Sequence, residues 1–307
     1  MSINIEKIET FFPKKKVSLM KLKIPLIKKI VETTGIKTIY KSSEKEDVIY
    51  LASEAAKKLL KKNDINKIDI VFLVTQSPTF NVPSNSYIIH DKLNLKKDCM
   101  VFDINQGCSG YVYALNIAES LLKNNNLSKA LILTSDTYSK FSKKLNVSSL
   151  FSDAATATLV SNNEKKDIYQ FTSYSEKYES LIQKKTNVSS GIQSNSLLMT
   201  GTSVFNFSIN EVSSDIEKFL RINKIKKSKI KYFLFHQASK IVLDNLKRKL
   251  NITSKQMYGN INKYGNTVSS TLPILLRDLK KKTNRKQEVI LCGFGVGLSI
   301  AICKILV

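Results

Sequence analysis

The sequence contains no tryptophan, two histidines and four cysteines in 307 residues. Cys99, Cys108, Cys292 and Cys303 lack the paired spacing of a zinc site, and a chain of this length does not need a disulfide framework. No apolar run reaches the roughly 18 residues that a membrane helix requires. The N-terminal segment also lacks the apolar stretch of a secretory signal. We therefore expect a globular, cytoplasmic protein that does not enter the membrane.

Acidic residues are scarce, with 25 Asp and Glu against 49 Lys and Arg, which gives a net charge of +24. Such a charge suits nucleic acid, an acidic protein or a phosphorylated cofactor as a partner. However, the lysines are scattered in short clusters, and no helix-turn-helix, zinc-finger or aromatic RNA-binding signature accompanies them. We expect no nucleic-acid partner. The basic surface is interpreted as a solvated face, or as a docking surface for an acidic carrier protein or phosphorylated cofactor.

Short apolar runs alternate with amphipathic stretches along most of the chain. Runs rich in Val, Ile and Phe predict buried strands over 68–74, 100–104, 130–134, 154–160, 231–235, 288–291 and 298–305. Apolar residues at helical spacing predict helices over 48–61, 111–122, 241–250 and 271–282. The alternation predicts an α/β architecture with mixed sheets covered by helices.

The two halves of the chain show a weak internal repeat. A predicted strand ends in VTQ in the first half and in FHQ in the second, and each half then has a glycine-containing turn that opens a helix (INQGCSG and NINKYGNTVSS). This repeat predicts two similar domains, residues 1–165 and residues 166–307. The polar segment 161–200, which has no clear periodicity, is expected to be the linker between them. A pseudo-twofold axis would bring equivalent strand ends of the two halves together.

Cys108 differs from the other cysteines in its context. It lies in a turn between a predicted buried strand and a predicted helix, with glycines on both sides that permit a tight backbone. A thiol there faces the positive end of the helix dipole, which is expected to lower its pKa from roughly 8.5 toward about 4–7 and leave a thiolate at neutral pH. The backbone N–H groups of the turn can also stabilise an oxyanion. Cys108 is thus a candidate nucleophile, and the alternative is a buried structural cysteine.

His236 and Asn266 are further candidates, each with a structural alternative. His236 ends an apolar strand in YFLFHQAS, where a neutral imidazole can donate or accept a proton, but it can equally be a packed histidine. Asn266 lies in the turn KYGNTVSS, where Asn is also a good helix N-cap. His90, within a predicted helix, is expected to be structural. The glycine segment GFGVG (293–297) is a weak signal by itself.

Taken together, four segments resemble the motifs of the β-ketoacyl-acyl-carrier-protein synthase III family. GCSGYVYAL resembles its nucleophile elbow, FHQAS its histidine motif, GNTVSSTLP its asparagine motif, and GFGVGLS its C-terminal glycine loop. The segments TTGI, FSDAATATLV and MTGTSVFNF match the family more weakly. The matches occur in order from about residue 29 to residue 304. The resemblance therefore covers nearly the whole chain.

This resemblance implies a fold and a reaction. The fold would be the thiolase fold, with two similar halves in a five-layer α-β-α-β-α sandwich, in a homodimer. Cys108 would take an acyl group from a thioester, with the backbone N–H groups of Cys108 and Val296 holding the oxyanion. His236 and Asn266 would stabilise the enolate that forms as a malonyl thioester loses CO₂, and the product would be a 3-oxoacyl thioester.

The resemblance also implies substrate contacts and partners. Phe205, Phe294 and Gly295 would line the substrate site. No metal or cofactor would be needed, because the substrates are acyl-coenzyme A or acyl-carrier-protein thioesters. Acyl carrier protein would be the partner.

Several positions depart from the family pattern. Lys29 and Thr33 stand where the family often has a Trp and an Arg that grip coenzyme A, and Ile241 replaces an Arg used in carrier docking. Val82 stands where a Phe can cap the acyl pocket from the partner subunit, and Val296 replaces a glycine of the oxyanion hole. These changes favour a specialised paralogue with a donor other than acetyl-coenzyme A.

Other functions remain open at this point. An acyltransferase on the same fold would move the acyl group from Cys108 to an alcohol or amine without decarboxylation. A thiolase would use a second cysteine, for which Cys292 is available. A papain-like peptidase has the same Cys, His, Asn order, but its local cysteine signature is absent here. A non-catalytic partner subunit would not need the three residues.

Overall fold

The computed structural model describes residues 2–60, 65–124, 127–141, 145–163, 167–174, 182–185, 196–283, 286–295 and 297–307. The strands in these ranges are β1 Ser2–Phe11, β2 Lys15–Ser18, β3 Thr38–Lys41, β4 Ile68–Val74, β5 Met100–Ile104, β6 Lys129–Asp136, β7 Ala154–Asn163, β8 Ile168–Ser173, β9 Ile182–Lys185, β10 Ser196–Met199, β11 Tyr232–Phe235, β12 Glu288–Gly295 and β13 Ser299–Leu306. The α-helices are α1 Ile27–Thr34, α2 Val48–Leu59, α3 Asn85–Lys92, α4 Gly110–Asn124, α5 Leu145–Ser148, α6 Gly201–Ile222, α7 Lys240–Lys249, α8 Ile261–Tyr264 and α9 Thr271–Lys280.

Two main sheets repeat one strand order. The first sheet runs β1-β7-β6-β4-β5, and the second runs β8-β13-β12-β11. In both, the first two pairings are antiparallel and the third is parallel. The place of β5 is taken in the second sheet by a single parallel bridge between Phe233 and Met257. The internal repeat that the sequence predicts is thus present in the sheets.

Side-chain alternation in the strands builds five layers. In β4, Ile70, Phe72 and Val74 pack into a central core with α4 and α9, whereas Val71 and Leu73 pack outward against α2 and α3. In β12, Val289 and Leu291 face the same central core, and Ile290, Cys292 and Phe294 face α6 and α7. Strands buried on both faces explain the continuous apolar runs in the sequence. The predicted five-layer α-β-α-β-α arrangement, with mixed sheets, is confirmed.

The segment 161–200 differs from the expected linker. Strand β7 continues to Asn163, and β8 forms an edge of the second sheet by pairing antiparallel with β13. The antiparallel strands β9 and β10 also lie in this segment. Residues 164–166, 175–181 and 186–195 are outside the described residues. The predicted domain division at 165/166 falls between β7, the last strand of the first sheet, and β8, the first of the second.

The repeated strand order determines where Cys108, His236 and Asn266 lie. Cys108 follows β5 and precedes α4, and Asn266 follows the Phe233–Met257 bridge and precedes α9. These two helices lie side by side in the central layer. His236 follows directly on β11, at the same end of the second sheet. The three residues consequently meet where the two halves face each other.

Candidate active site

A cavity of about 170 Å³ lies at this junction of the two halves. Cys108, His236 and Asn266 all line it. Its remaining lining is mostly apolar and consists of Tyr138, Leu150, Phe151, Gly201, Val204, Phe205, Ser208, Ala238, Ser239, Ile241, Val242, Phe294 and Gly295. The structure therefore brings the three predicted residues together around one apolar space, whose lining also includes Ile241, a residue 43% exposed.

Strand β12 packs directly against the backbone and the side chain of Cys108. A Cβ atom at Gly293 would lie 2.5 Å from the Cys108 carbonyl oxygen and 2.6 Å from the Ser109 Cα. A Cβ atom at Gly295 would lie 3.1 Å from the Cys108 Sγ. Only glycine permits this approach, so the glycine segment has a packing function that fixes the position of the nucleophile. The side chain of Cys108 is itself 6% exposed.

The thiolate expected for resting Cys108 is a wrong prediction. Burial raises the pKa of the Cys108 thiol above its ordinary value, and the Asp136 carboxylate raises it further. The start of α4 acts in the opposite direction, but a helix dipole contributes at most about 2 kcal/mol, or less than two pKa units. Complete burial shifts a pKa by up to about 3–5 units. The resting nucleophile is therefore a protonated thiol.

His236 is uncharged in the resting site, as the Cys108 thiol is. Burial lowers the pKa of its imidazole to about 3, so the ring is uncharged at neutral pH. Its backbone N–H donates to the Cys292 carbonyl at 2.9 Å, which fixes the end of β11. Its ring meets Phe294 edge-on, with centroids 5.6 Å apart. The buried Nδ1 has no hydrogen-bond partner among the described residues, which is not the satisfied packing histidine of the structural alternative.

Asn266 is anchored so that its amide presents a donor. Its backbone N–H donates to the Leu150 carbonyl at 3.2 Å, and its carbonyl accepts from the Ser152 N–H at 2.8 Å. Its Oδ1 accepts from the Val268 N–H at 3.0 Å. With the oxygen occupied, the Nδ2 remains to donate to a ligand. The local turn-forming role and the donor role are thus compatible.

The implied substrate-binding residues come from two elements that line the cavity. Phe205 comes from α6, and Phe294 and Gly295 from the end of β12; all three line the cavity. Val296, the implied second oxyanion donor, lies outside the described residues. His90 is remote from the cavity, and its Nε2 is 2.9 Å from the Lys96 carbonyl oxygen, in agreement with the structural interpretation.

Sequence reasoning missed several residues of the site. Tyr138 and Phe151 form an edge-to-face pair on the cavity wall, with centroids 5.0 Å apart. Asp136 is fully buried at the end of β6 and acts electrostatically on Cys108. The position of Asp136 just after the end of a predicted strand could have identified it, because side chains at the carboxyl ends of parallel strands collect at one edge of a sheet.

Of the positions that depart from the family pattern, Ile241 lies at the site cavity, whereas Lys29, Thr33 and Val82 do not line it. Lys29 and Thr33 line a separate groove of about 540 Å³ with Leu26, Ile30, Thr34 and Leu145. Val82 is 85% exposed, between β4 and α3.

Two family models match successive parts of the chain. The family model described as 3-oxoacyl-[acyl-carrier-protein (ACP)] synthase III matches residues 102–177, and the model of its C-terminal part matches residues 220–306. No helix in the described part of the chain is long and apolar enough to cross a membrane.

Individual relatives give the same result. The chain is 34% identical over 272 residues to β-ketoacyl-[acyl-carrier-protein] synthase III of Clostridium botulinum (strain 657 / Type Ba4), covering 84% of this chain and 83% of that protein. It is 29% identical over 285 residues to the enzyme of that name from Ehrlichia ruminantium (strain Gardel), covering 90% and 89%. The solved structure of 3-oxoacyl-(acyl-carrier protein) synthase from Burkholderia xenovorans LB400 superposes with a TM-score of 0.93 at 25% identity, covering 100% of this chain and 94% of that one. This chain belongs to the β-ketoacyl-acyl-carrier-protein synthase III family.

Proposed function

We propose that the protein is a 3-oxoacyl-acyl-carrier-protein synthase: it transfers an acyl group from a thioester to Cys108 and condenses it with malonyl-carrier protein with loss of CO₂. The observation that carries this proposal is the convergence of Cys108, His236 and Asn266 on one apolar cavity, with the histidine neutral and the Asn266 Oδ1 already occupied. A neutral imidazole and a free amide both offer N–H groups to a developing negative charge.

Acylation comes first. As the Cys108 sulfur attacks the thioester carbonyl, its proton is transferred through His236 to the departing sulfur, which leaves as a free thiol and returns His236 to the neutral form. The protonated resting thiol makes this proton transfer part of the step. The Cys108 backbone N–H is proposed to stabilise the tetrahedral oxyanion, together with that of Val296. The product is a Cys108 thioester at the base of the apolar cavity.

Condensation follows in the same cavity. The malonyl carboxylate leaves as CO₂, and the enolate oxygen lies between the N–H donors of His236 and Asn266. The carbanion attacks the acyl carbonyl, the bond between the acyl carbon and the Cys108 sulfur breaks, and the released thiolate takes a proton from solvent. Thioesters are the only reactants in this scheme, so no metal or cofactor is proposed.

The proposed partners follow from charge and exposure. Acyl carrier protein is the proposed thioester carrier, supported by the net charge of +24, which attracts an acidic partner. Coenzyme A thioesters are the second proposed source of acyl groups. Since the four cysteines are unpaired thiols, as expected in a reducing compartment, a cytoplasmic location is part of the same proposal.

A homodimer is proposed through the edge of the first sheet. Strand β5 is the outermost strand of that sheet. Exposed apolar side chains surround this edge: Phe80 is 47% exposed, Val82 85%, Tyr87 60% and Phe102 41%. A second copy of the same edge would cover these side chains and pair the open backbone of β5.

The test follows both products of the reaction. The purified protein is incubated with a panel of acyl thioesters and malonyl-carrier protein, and CO₂ release and 3-oxoacyl product are measured together. Condensation predicts equal amounts of the two, and their loss in His236→Ala but not in the control His90→Ala. Acyl transfer to an added alcohol or amine without CO₂ would instead establish the alternative acyltransferase. Activity that persists without Cys108 would refute both.

A further inference from the structure

Asp136 is a buried carboxylate that the reaction scheme does not use. It is the last residue of β6 and is fully buried. Its hydrogen-bond partners in the described part of the chain are all uncharged: side chains of Thr75, Ser77 and Ser269, and backbone N–H groups. A buried charge without a cation beside it is costly, so its position needs an explanation.

One oxygen of Asp136 supports the Cys108 turn. Its Oδ1 accepts from the Gln76 N–H at 2.9 Å and from the Ser77 hydroxyl at 3.1 Å. Gln76 in turn accepts at Oε1 from the Tyr138 hydroxyl at 3.1 Å. That same Oε1 would lie 2.3 Å from a Cβ at Gly107, the residue before Cys108. The carboxylate therefore fixes the backbone of Gln76, whose side chain packs against the nucleophile turn.

The other oxygen supports the Asn266 turn in the second half of the chain. Its Oδ2 accepts from the Ser269 N–H at 3.3 Å and from the Ser269 hydroxyl. Ser269 belongs to the short 3₁₀ helix Val268–Ser270, whose first N–H binds the Asn266 Oδ1. One carboxylate thus joins the supports of Cys108 and Asn266 across the junction of the two halves.

Asp136 also acts on the nucleophile through its charge. Burial raises the pKa of Asp136 to about 6, against the effect of its hydrogen bonds, so it is ionised at pH 7 and above. Its negative charge raises the pKa of the nearby Cys108 and Tyr138 groups. His236, with a pKa of about 3, stays neutral over the same pH range.

We propose that Asp136 is a positioning residue: its carboxylate, bonded to the Gln76 N–H through one oxygen and to Ser269 through the other, keeps the Cys108 and Asn266 turns in register. The negative charge that this position places near the Cys108 turn also favours the thiol form of the unacylated nucleophile. A protonated Cys108 reacts slowly with electrophiles while the cavity is empty. It becomes reactive only when a substrate lies in the cavity beside His236. The condensation measurement below rests on the proposed function, whereas the alkylation measurement does not.

The test compares two buried carboxylates. Asp136→Asn removes the charge at nearly constant size. Asp153→Asn is the matched control, because Asp153 is also fully buried, has a raised pKa and accepts backbone N–H groups from Ser139 at 2.9 Å and Ser42 at 2.8 Å. Asp153 is not among the charges that act on Cys108. Alkylation of Cys108 by iodoacetamide is followed by peptide mass spectrometry from pH 5 to pH 9.

The expected result has a distinct pH dependence. Above pH 7, Asp136→Asn should alkylate about tenfold faster than the natural protein, the size of a one-unit change in the pKa of a nearby group. Below pH 6 the natural Asp136 takes up its own proton, so the two rates should converge. Asp153→Asn should match the natural protein at every pH. A rate ratio that is independent of pH, or an equal effect of Asp153→Asn, would overturn the electrostatic part.

The positioning part has its own measurement. Asp136→Asn should also lower condensation turnover by about tenfold or more, since small displacements of reacting groups are costly. Should that variant fail to fold, Ser269→Ala removes one hydroxyl donor and keeps the Ser269 N–H bond. It should lower condensation more than acylation, because Ser269 supports the Asn266 turn. Equal effects on both steps, or no effect on condensation, would overturn this part.

Discussion

Replacing Gly293 with alanine should displace the nucleophile. The new Cβ would lie 2.5 Å from the Cys108 carbonyl oxygen and 2.6 Å from the Ser109 Cα. Ordinary carbon contacts are about 3.5 Å or longer, so the turn must move by about 1 Å. Overpacking of this kind costs roughly 1–3 kcal/mol, and the contacting atoms are backbone, which places the cost at the upper end. A displacement of about 1 Å in an active site also lowers the rate about a hundredfold.

The two effects are measured separately. Thermal unfolding should show a fall in Tm of about 5 °C for Gly293→Ala, and intact-protein mass spectrometry should show acylation of Cys108 slowed by about two orders of magnitude. Gly201→Ala is the control for the stability measurement, because its Cβ would have no atom within 4 Å. An unchanged Tm and acylation rate in Gly293→Ala would refute the assignment of close packing between β12 and the nucleophile turn.

Three further predictions test other parts of the site. The pKa of His236 is about 3 in the folded protein and 6.5 ordinarily, so only the unfolded chain takes up this proton as the pH falls below 6.5. Between pH 6 and pH 4.5 the natural protein should therefore lose about 2 kcal/mol more of its free energy of unfolding than His236→Gln, as measured by denaturant titration. An equal loss in the two proteins would contradict a buried neutral imidazole. Asn266→Ala should lower condensation about 10²–10³-fold and acylation less than tenfold in single-turnover assays; equal losses would argue against its role as an enolate donor. Val82→Glu, at a position 85% exposed, should weaken the proposed dimer in light scattering, whereas Leu26→Glu, at a position 61% exposed, should not.

Buried strands and the repeat were predictable from the sequence for a physical reason. A strand covered on both faces is mostly apolar, so β4 begins and ends at the predicted residues 68–74. The apolar run of β5 also gives its predicted bounds, 100–104, although this strand lies at the sheet edge and contains Asp103. Strand β1 lies at an edge of the sheet, and its sequence, SINIEKIETF, alternates apolar and polar residues. It was missed because it contains no continuous apolar run. Helix α6 was missed because its nine buried positions include two serines and an aspartate, which interrupt the apolar face.

The site was predictable to the level of the residues that carry chemistry, and less so for their electrostatics. The positions of Cys108, His236 and Asn266 follow from the duplicated strand ends. The state of the Cys108 thiol did not follow, because a helix dipole is visible in a local sequence, whereas burial by β12 and the charge of Asp136 come from residues far along the chain. The role of Asp136 needed the same long-range information.

Covalent acylation of Cys108 is the step on which the rest of the proposed reaction depends. The natural protein and Cys108→Ala are incubated with acyl-coenzyme A and acyl-carrier-protein thioesters, and intact masses are recorded before malonyl-carrier protein is added. The proposed reaction predicts a gain of one acyl group in the natural protein alone, which disappears as the 3-oxoacyl product forms. An equal mass gain in Cys108→Ala, or turnover of the thioesters without any Cys108-bound intermediate, would contradict it.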